Sequence, residues 1–225
     1  MKRTKSSRLF SFTHIPFEQV YRFRVTLEGT TPPVWRLIEV PGCYDFWNLH
    51  CAIQDAMGWL DCHLHHFRIV NPKTGLKVRM VLDEEETEPR TPDLCYGWEE
   101  LLADYFTDDN KTAEYEYDFG AGWKHEVVLE GVYPRFAGVA YPRCLAGQRA
   151  CPPEDCGGVH GYVELLQALK DPKHPEHKAI KRWVGKGFDP DWFHPGEVHF
   201  TDPQPRWEKA FLGEGFSGFP VGLKA

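Results

Sequence analysis

The stretch at 112–130 constrains the fold more than any other part of the chain. Polar and apolar residues alternate over 112–118 and again over 123–130, and Phe119-Gly120-Ala121-Gly122 supplies a turn between them. That pattern predicts an antiparallel hairpin. On its second strand Trp123, His125, Val127 and Leu129 share one face, and Lys124, Glu126 and Glu130 take the other. One face is made for a core and one for water, so His125 is expected among apolar neighbours.

The same logic runs through the first half of the chain. Tyr21, Phe23, Val25 and Leu27 alternate with Arg22, Arg24, Thr26 and Glu28; turn residues follow at 29–33, and the strand pattern resumes over 34–40 until Pro41-Gly42. A helix comes next. Asp45 is placed to cap it, Phe46, Leu49, Ile53 and Met57 fall on one side, and Gly58 is placed to end it. Strands at 65–70 and 76–82 flank a turn at 71–75. This β-β-α-β start predicts an α+β fold: small antiparallel or mixed sheets built from β-hairpins, with helices packed on one face.

Further on, Trp98, Leu101, Leu102 and Tyr105 predict a short helix. Tyr162, Leu165, Leu166 and Leu169 predict another that stops at Asp171-Pro172, and a third follows Pro175 and closes at Gly185. The chain thus divides into an N-terminal arm at 1–18, an α+β domain at 19–195 with a candidate internal boundary near 83–97, and an irregular C-terminal tail at 196–225 rich in Gly, Pro and aromatics.

Of the 225 residues 42% are hydrophobic, enough for a core without disulfide staples. No apolar run approaches the roughly 20 residues of a membrane span, and no signal peptide follows the N-terminal charges, which predicts a soluble cytoplasmic protein with no membrane partner. A formal net charge of −7 disfavours a protein whose affinity comes mainly from neutralising phosphates. Basic residues gather only locally, at Lys2, Arg3, Lys5 and Arg8 and at Lys173, Lys178, Lys181, Arg182 and Lys186, while 83–88 is acidic. All three read as solvated segments.

The chemistry-bearing residues concentrate in one loop. Cys144, Cys151 and Cys156 bracket Arg149-Ala150-Cys151-Pro152-Pro153-Glu154-Asp155-Cys156-Gly157-Gly158, where prolines stiffen the backbone and the Gly-Gly pair opens angles closed to other residues. Thiolates with imidazole suit zinc, so one reading is a four-ligand structural site made by these three cysteines and either His125 or His63. Their spacing is wider than in zinc knuckles. The competing readings are small buried thiols beside a core histidine, or a redox pair. Cys43, Cys51, Cys62 and Cys95 read as packing residues. His63 and His65 share a face if the strand has begun, and with His125 they would line a metal or proton-transfer pocket; the plainer reading is one turn histidine and two at the surface. Asp118, Glu154 and Asp155 are the candidate catalytic carboxylates, with turn capping as the alternative.

Four separated motifs now stand in order: Pro33-Val34-Trp35-Arg36; Met57-Gly58-Trp59 with His63-Leu64-His65-His66-Phe67; Tyr117-Asp118-Phe119-Gly120 with Trp123-Lys124-His125-Glu126; and Arg149 to Gly158 with Gly161-Tyr162. Over about 20–195 the chain resembles the plasmid pRiA4b ORF-3-like family. The resemblance implies an α+β fold of bacterial and archaeal proteins carried on plasmids and insertion elements, with no established activity. It also implies Asp-Phe-Gly-Asp at the turn, where this chain has Ala121, which weakens any role needing that second carboxylate.

Three functions follow as expectations. The first is a binding or accessory module that uses Trp35, Trp59 and Trp123 to hold a macromolecule, with any zinc structural. The second is a metal-assisted hydrolase with Asp118, His125 and Glu154 converging on an open site. The third, from the resemblance alone, is a DNA-handling factor of a mobile element. The transposon-resolution label of some relatives finds no support in this chain, which has no motif marking a nucleophilic serine or tyrosine among arginines.

Overall fold

The computed structural model describes residues 16–82, 91 and 93–211. The basic cluster at 2–8, the acidic run at 83–88 and the tail beyond 211 lie outside them. The predicted hairpins do not form separate small sheets. They join one eight-stranded sheet in the order β5-β4-β3-β6-β7-β1-β2-β8. Its strands are β1 Gln19–Leu27, β2 Val34–Pro41, β3 His65–Val70, β4 Lys77–Val81, β5 Leu94–Tyr96, β6 Thr112–Tyr117, β7 Trp123–Pro134 and β8 Arg143–Gln148. Every pair is antiparallel except β4 and β5. The pairing of β1 with β7 welds the first hairpin to the 112–130 hairpin, so the alternations read separately in sequence share one core face.

That face carries Phe23, Val25 and Leu27 of β1, Phe67 and Ile69 of β3, Tyr115 and Tyr117 of β6, and Trp123, Val127 and Leu129 of β7, all buried. Helix α1, Phe46–Met57, packs among them. Asp45 caps it by accepting from the Asn48 amide at 2.9 Å, and Gly58 ends it at φ 87°, in the left-handed region that glycine enters without strain. Every residue of α1 except Asp55 is buried, far more than a one-sided helix requires.

The cause is the segment expected to be irregular. Helix α5, Pro203–Phe211, follows helices α2 Leu102–Tyr105, α3 Gly158–Lys170 and α4 His177–Trp183. It brings the fully buried Trp207 against Trp47, Cys51, Val81, Tyr96 and Trp98 as a second apolar cluster behind α1. No described helix is long and apolar enough to cross a membrane.

The other sheet face is charged. There Glu39 is gripped from both sides, by Arg22 at 2.7 Å and Arg143 at 2.7 Å, and Arg24 pairs with Glu130 at 2.7 Å. A buried carboxylate held by two guanidinium forks is electrostatically satisfied.

Candidate functional site

Three loops meet at one corner of the sheet. Residues 59–63 run from α1 to β3, 118–122 turn β6 into β7, and 152–156 lead into α3. The Trp59 indole donates to the Pro152 carbonyl at 2.9 Å and stacks on Tyr117 with ring centroids 5.2 Å apart. The Tyr117 hydroxyl donates to Glu154 Oε1 at 2.6 Å and accepts from the Cys62 amide at 2.9 Å, while Glu154 Oε2 accepts from the Leu60 amide at 2.9 Å. Glu154 is therefore immobilised through both oxygens, each with a lone pair to spare.

Asp118 is held in the same manner. Its Oδ1 accepts from the amides of Gly120 at 3.1 Å and Ala121 at 3.2 Å, and Oδ2 faces His63 Nε2 at 3.7 Å. Asp155 Oδ1 lies 3.4 Å from the same nitrogen, and Cys62 Sγ lies 3.8 Å from Glu154. Two overlapping sets, Cys62-His63-Glu154 and His63-Asp118-Asp155, bring one ligand atom from each member within 4.8 Å of the others. Metal–ligand bonds of about 2.0–2.3 Å put neighbouring ligands of a tetrahedral zinc roughly 3.3–3.8 Å apart, close to these separations.

Close backbone approach holds the loops of the corner together. A Cβ on Gly158, at φ 70°, would stand 2.3 Å from the Ala121 carbonyl oxygen, and one on Gly161 would stand 1.8 Å from that of Cys156. Asp61, Asp118 and Asp155 all adopt positive φ, 58°, 54° and 60°. The electrostatics are one-sided. Burial, then the charges of Glu154, Asp155 and Asp61, push the Cys62 thiol up to about 11. Among the described residues no lysine or arginine pairs with Asp118, Glu154 or Asp155; His63 is the base that two of them face. The corner is also open, with the His63 side chain 33% and that of Asp155 77% exposed.

Residues 19–197 match the model of the family described as plasmid pRiA4b ORF-3-like protein. The chain belongs to that family. It is similar to the uncharacterized protein y4hQ of Sinorhizobium fredii, 36% identical over 170 residues that cover 74% of this chain and 81% of that one. It is also similar to a solved structure, the protein of unknown function MM3350 from Methanosarcina mazei, at 46% identity and TM-score 0.77, covering 82% of this chain and all of that one. Membership bears out the resemblance carried by the four motifs, and the corner is where three of the motif-bearing segments of this pRiA4b ORF-3-like chain meet.

Of the residues singled out in sequence, Asp118, Glu154, Asp155 and His63 come together. Cys144, Cys151 and Cys156 do not join either histidine in a coordination set among the described residues. Cys144 sits on β8, its thiol 3.5 Å from the Ala146 carbonyl, and Cys156 lies 3.9 Å from that of Gly158. All three pack against the core, and burial raises their thiols, Cys156 to about 11. Beside Cys144 and Cys151 lies the buried Arg36, which donates to the carbonyls of Ala56 at 2.8 Å, Trp35 at 2.9 Å and Gln148 at 3.1 Å under the ring of Phe193. His125 is fully buried between Trp59 and Tyr115, with neither ring nitrogen in a well-formed hydrogen bond. Burial holds its pKa down at about 3, the Tyr115 and Trp123 backbone only partly opposing. The residue that converges with the carboxylates is His63, not His125.

Sequence reasoning missed Cys62 and Tyr117. The adjacent Cys62-His63 just past a helix C-cap was the available signal for the first. It also missed a buried network behind the corner. His50 bonds Tyr115 at 2.9 Å and Asp61 at 2.8 Å, its ring stacks on His65 at 3.4 Å, and Arg206 of α5 binds both Asp61 and Asp55. The C-terminal helix thus steadies the loop that carries Cys62 and His63.

Proposed function

We propose that this protein is a binding or accessory protein whose corner holds one divalent cation, zinc by its donor set, and that the ion ties together the loops on which the family motifs lie. The observation that carries the reading is a pair of overlapping clusters from three separate loops, Cys62-His63-Glu154 and His63-Asp118-Asp155, which share His63, with no lysine or arginine among the described residues to balance the carboxylates. Cys62, His63 and Glu154 supply sulfur, nitrogen and oxygen, and Asp118 or Asp155 supplies a fourth donor. Tyr117 and the Leu60 amide orient Glu154, and the Gly120 and Ala121 amides orient Asp118, as outer-shell partners orient ligands. The cation's charge would lower the raised Cys62 thiol and favour the thiolate.

Two depressions of about 260 and 300 Å3 among the described residues are lined mainly by charged side chains, and neither includes Cys62, His63, Asp118, Glu154 or Asp155, which favours a partner-binding role over small-molecule catalysis. Calorimetric titration of chelator-treated protein with zinc tests the reading. One site per chain that disappears in His63→Ala and survives in Cys151→Ser is expected; no heat of binding in the wild type sinks it.

Metal-assisted hydrolysis is the second reading, favoured by the exposure of His63 and Asp155, which leaves room for a water on the ion. Its chemistry would lie with His63, Glu154 and Asp118, since His125 is sealed in the core. Zinc-dependent cleavage of ester or phosphoester substrates that vanishes in Glu154→Gln would establish it.

A further inference from the structure

The charged face of the sheet contains one arrangement in which two arginines face each other with no ion pair to either among the described residues. Arg22, Arg24 and Arg143 each bind a carboxylate at 2.7 Å. Arg68 of β3 and Arg79 of β4 do not: they stand directly opposite each other in the antiparallel register, and neither guanidinium forms an ion pair among the described residues. Like charges at facing positions destabilise a sheet, because their Cβ atoms are only about 4.5–5.5 Å apart. The carboxylate in register with Arg68 on the other side is Glu114, but Glu114 is taken by Lys77 at 2.6 Å. Asp93 takes a hydrogen bond from Thr91 and also feels the charge of Arg79, without closing to an ion pair.

The two guanidinium groups, with Lys77, Val78 and Asp93, line an open depression of about 300 Å3; with Lys77 held by Glu114, two arginines there face one carboxylate in a chain whose net charge is −7. Their field reaches past it: His66 is pushed down to about 4 by burial first, then by Arg68 and Arg79. Two planar forks on facing residues match the oxygens of a phosphate, whose charge would offset their mutual repulsion.

We propose that Arg68 and Arg79 form a binding site for a phosphate group, carried by a small phosphate compound or by a nucleic-acid backbone. The site lies apart from the metal corner and does not depend on it. The phosphate oxygens accept from both guanidinium groups, with Lys77 able to turn from Glu114 toward the anion. Tight packing is not needed, since the site is open and solvated.

The test is titration of the full chain at low salt with pyrophosphate and, separately, with a short single-stranded oligonucleotide, on wild type, Arg68→Glu and Arg79→Gln. Wild type is expected to bind at least one probe, with affinity falling on the order of tenfold or more in either variant. Arg68→Glu, which turns a repulsive facing pair into an attractive one, should melt at the same temperature as wild type or higher. Binding of pyrophosphate identifies a small-phosphate site; binding of the oligonucleotide alone, weakening steeply with salt, identifies a polymer backbone. Failure of both probes to bind, or equal binding by wild type and both variants, overturns the proposal.

Discussion

His125 gives the fold a specific acid sensitivity. Its imidazole is fully buried, has no well-formed hydrogen bond, and has a pKa held at about 3 against an ordinary value of 6.5. The unfolded chain therefore binds more protons than the folded one between these values. The stabilisation is complete above pH 6.5 and is lost as pH falls toward 3. At pH 4.5 the unfolded histidine is about 99% protonated and the folded one almost neutral, so the lost stability is 1.36 kcal/mol for each of two pH units, about 2.7 kcal/mol. That is a large part of the ~5–15 kcal/mol that holds a domain together. Urea denaturation at pH 7.5 and 4.5, on wild type and His125→Leu, isolates it, because other titrating groups are common to both. Wild type should lose about 2.7 kcal/mol more than the variant across that interval. At pH 7.5 the variant should be as stable or more so, since it removes polar atoms lacking partners. Equal losses in the two proteins, or an NMR titration of His125 near pH 6.5, would refute the reasoning.

Two further outcomes follow from packing. Trp207→Ala empties the centre of the cluster behind α1 and should cost about 3–5 kcal/mol by thermal or chemical denaturation, although an irregular tail would have tolerated it. Gly158→Ala forces a Cβ against the Ala121 carbonyl at a left-handed φ, so it should spread the loops and weaken zinc binding by more than tenfold in calorimetry while the sheet's circular dichroism is retained.

The strands and the first helix were legible because they obey local rules. Alternation at 21–27 and 123–129, the Asp45 cap and the Gly58 stop each act within a few residues. What joined the hairpins into one sheet was not local: β1 pairs with β7 across about a hundred residues, and the outermost strands are hard to read. β5 is three residues long, and β8, Arg-Cys-Leu-Ala-Gly-Gln, has no alternation because its residues are all only partly buried or exposed. Helix α5 was hidden for a different reason. Its two prolines and low apolar content obscure a helix defined by one buried tryptophan and by Arg206 reaching Asp55 and Asp61.

The candidate site was legible in part for the same reasons. Asp118, Glu154 and Asp155 stood out by their turns, but sequence spacing drew the metal reading to Cys144, Cys151 and Cys156. Coordination depends on proximity in space, and the fold brings Cys62 and His63, which follow the Gly58 stop, beside those carboxylates. His125 looked like a ligand because a histidine on an apolar face needs explaining; the structure gives it a place among Trp59, Tyr115 and Trp123.

The most direct test is anomalous X-ray scattering at the zinc edge from crystals of protein purified without chelator. The account predicts one peak per chain, within bonding distance of Cys62 Sγ, a His63 nitrogen and a Glu154 oxygen, that is absent from His63→Ala crystals. A peak among Cys144, Cys151 and Cys156, or no peak at the corner in zinc-soaked crystals, would contradict it.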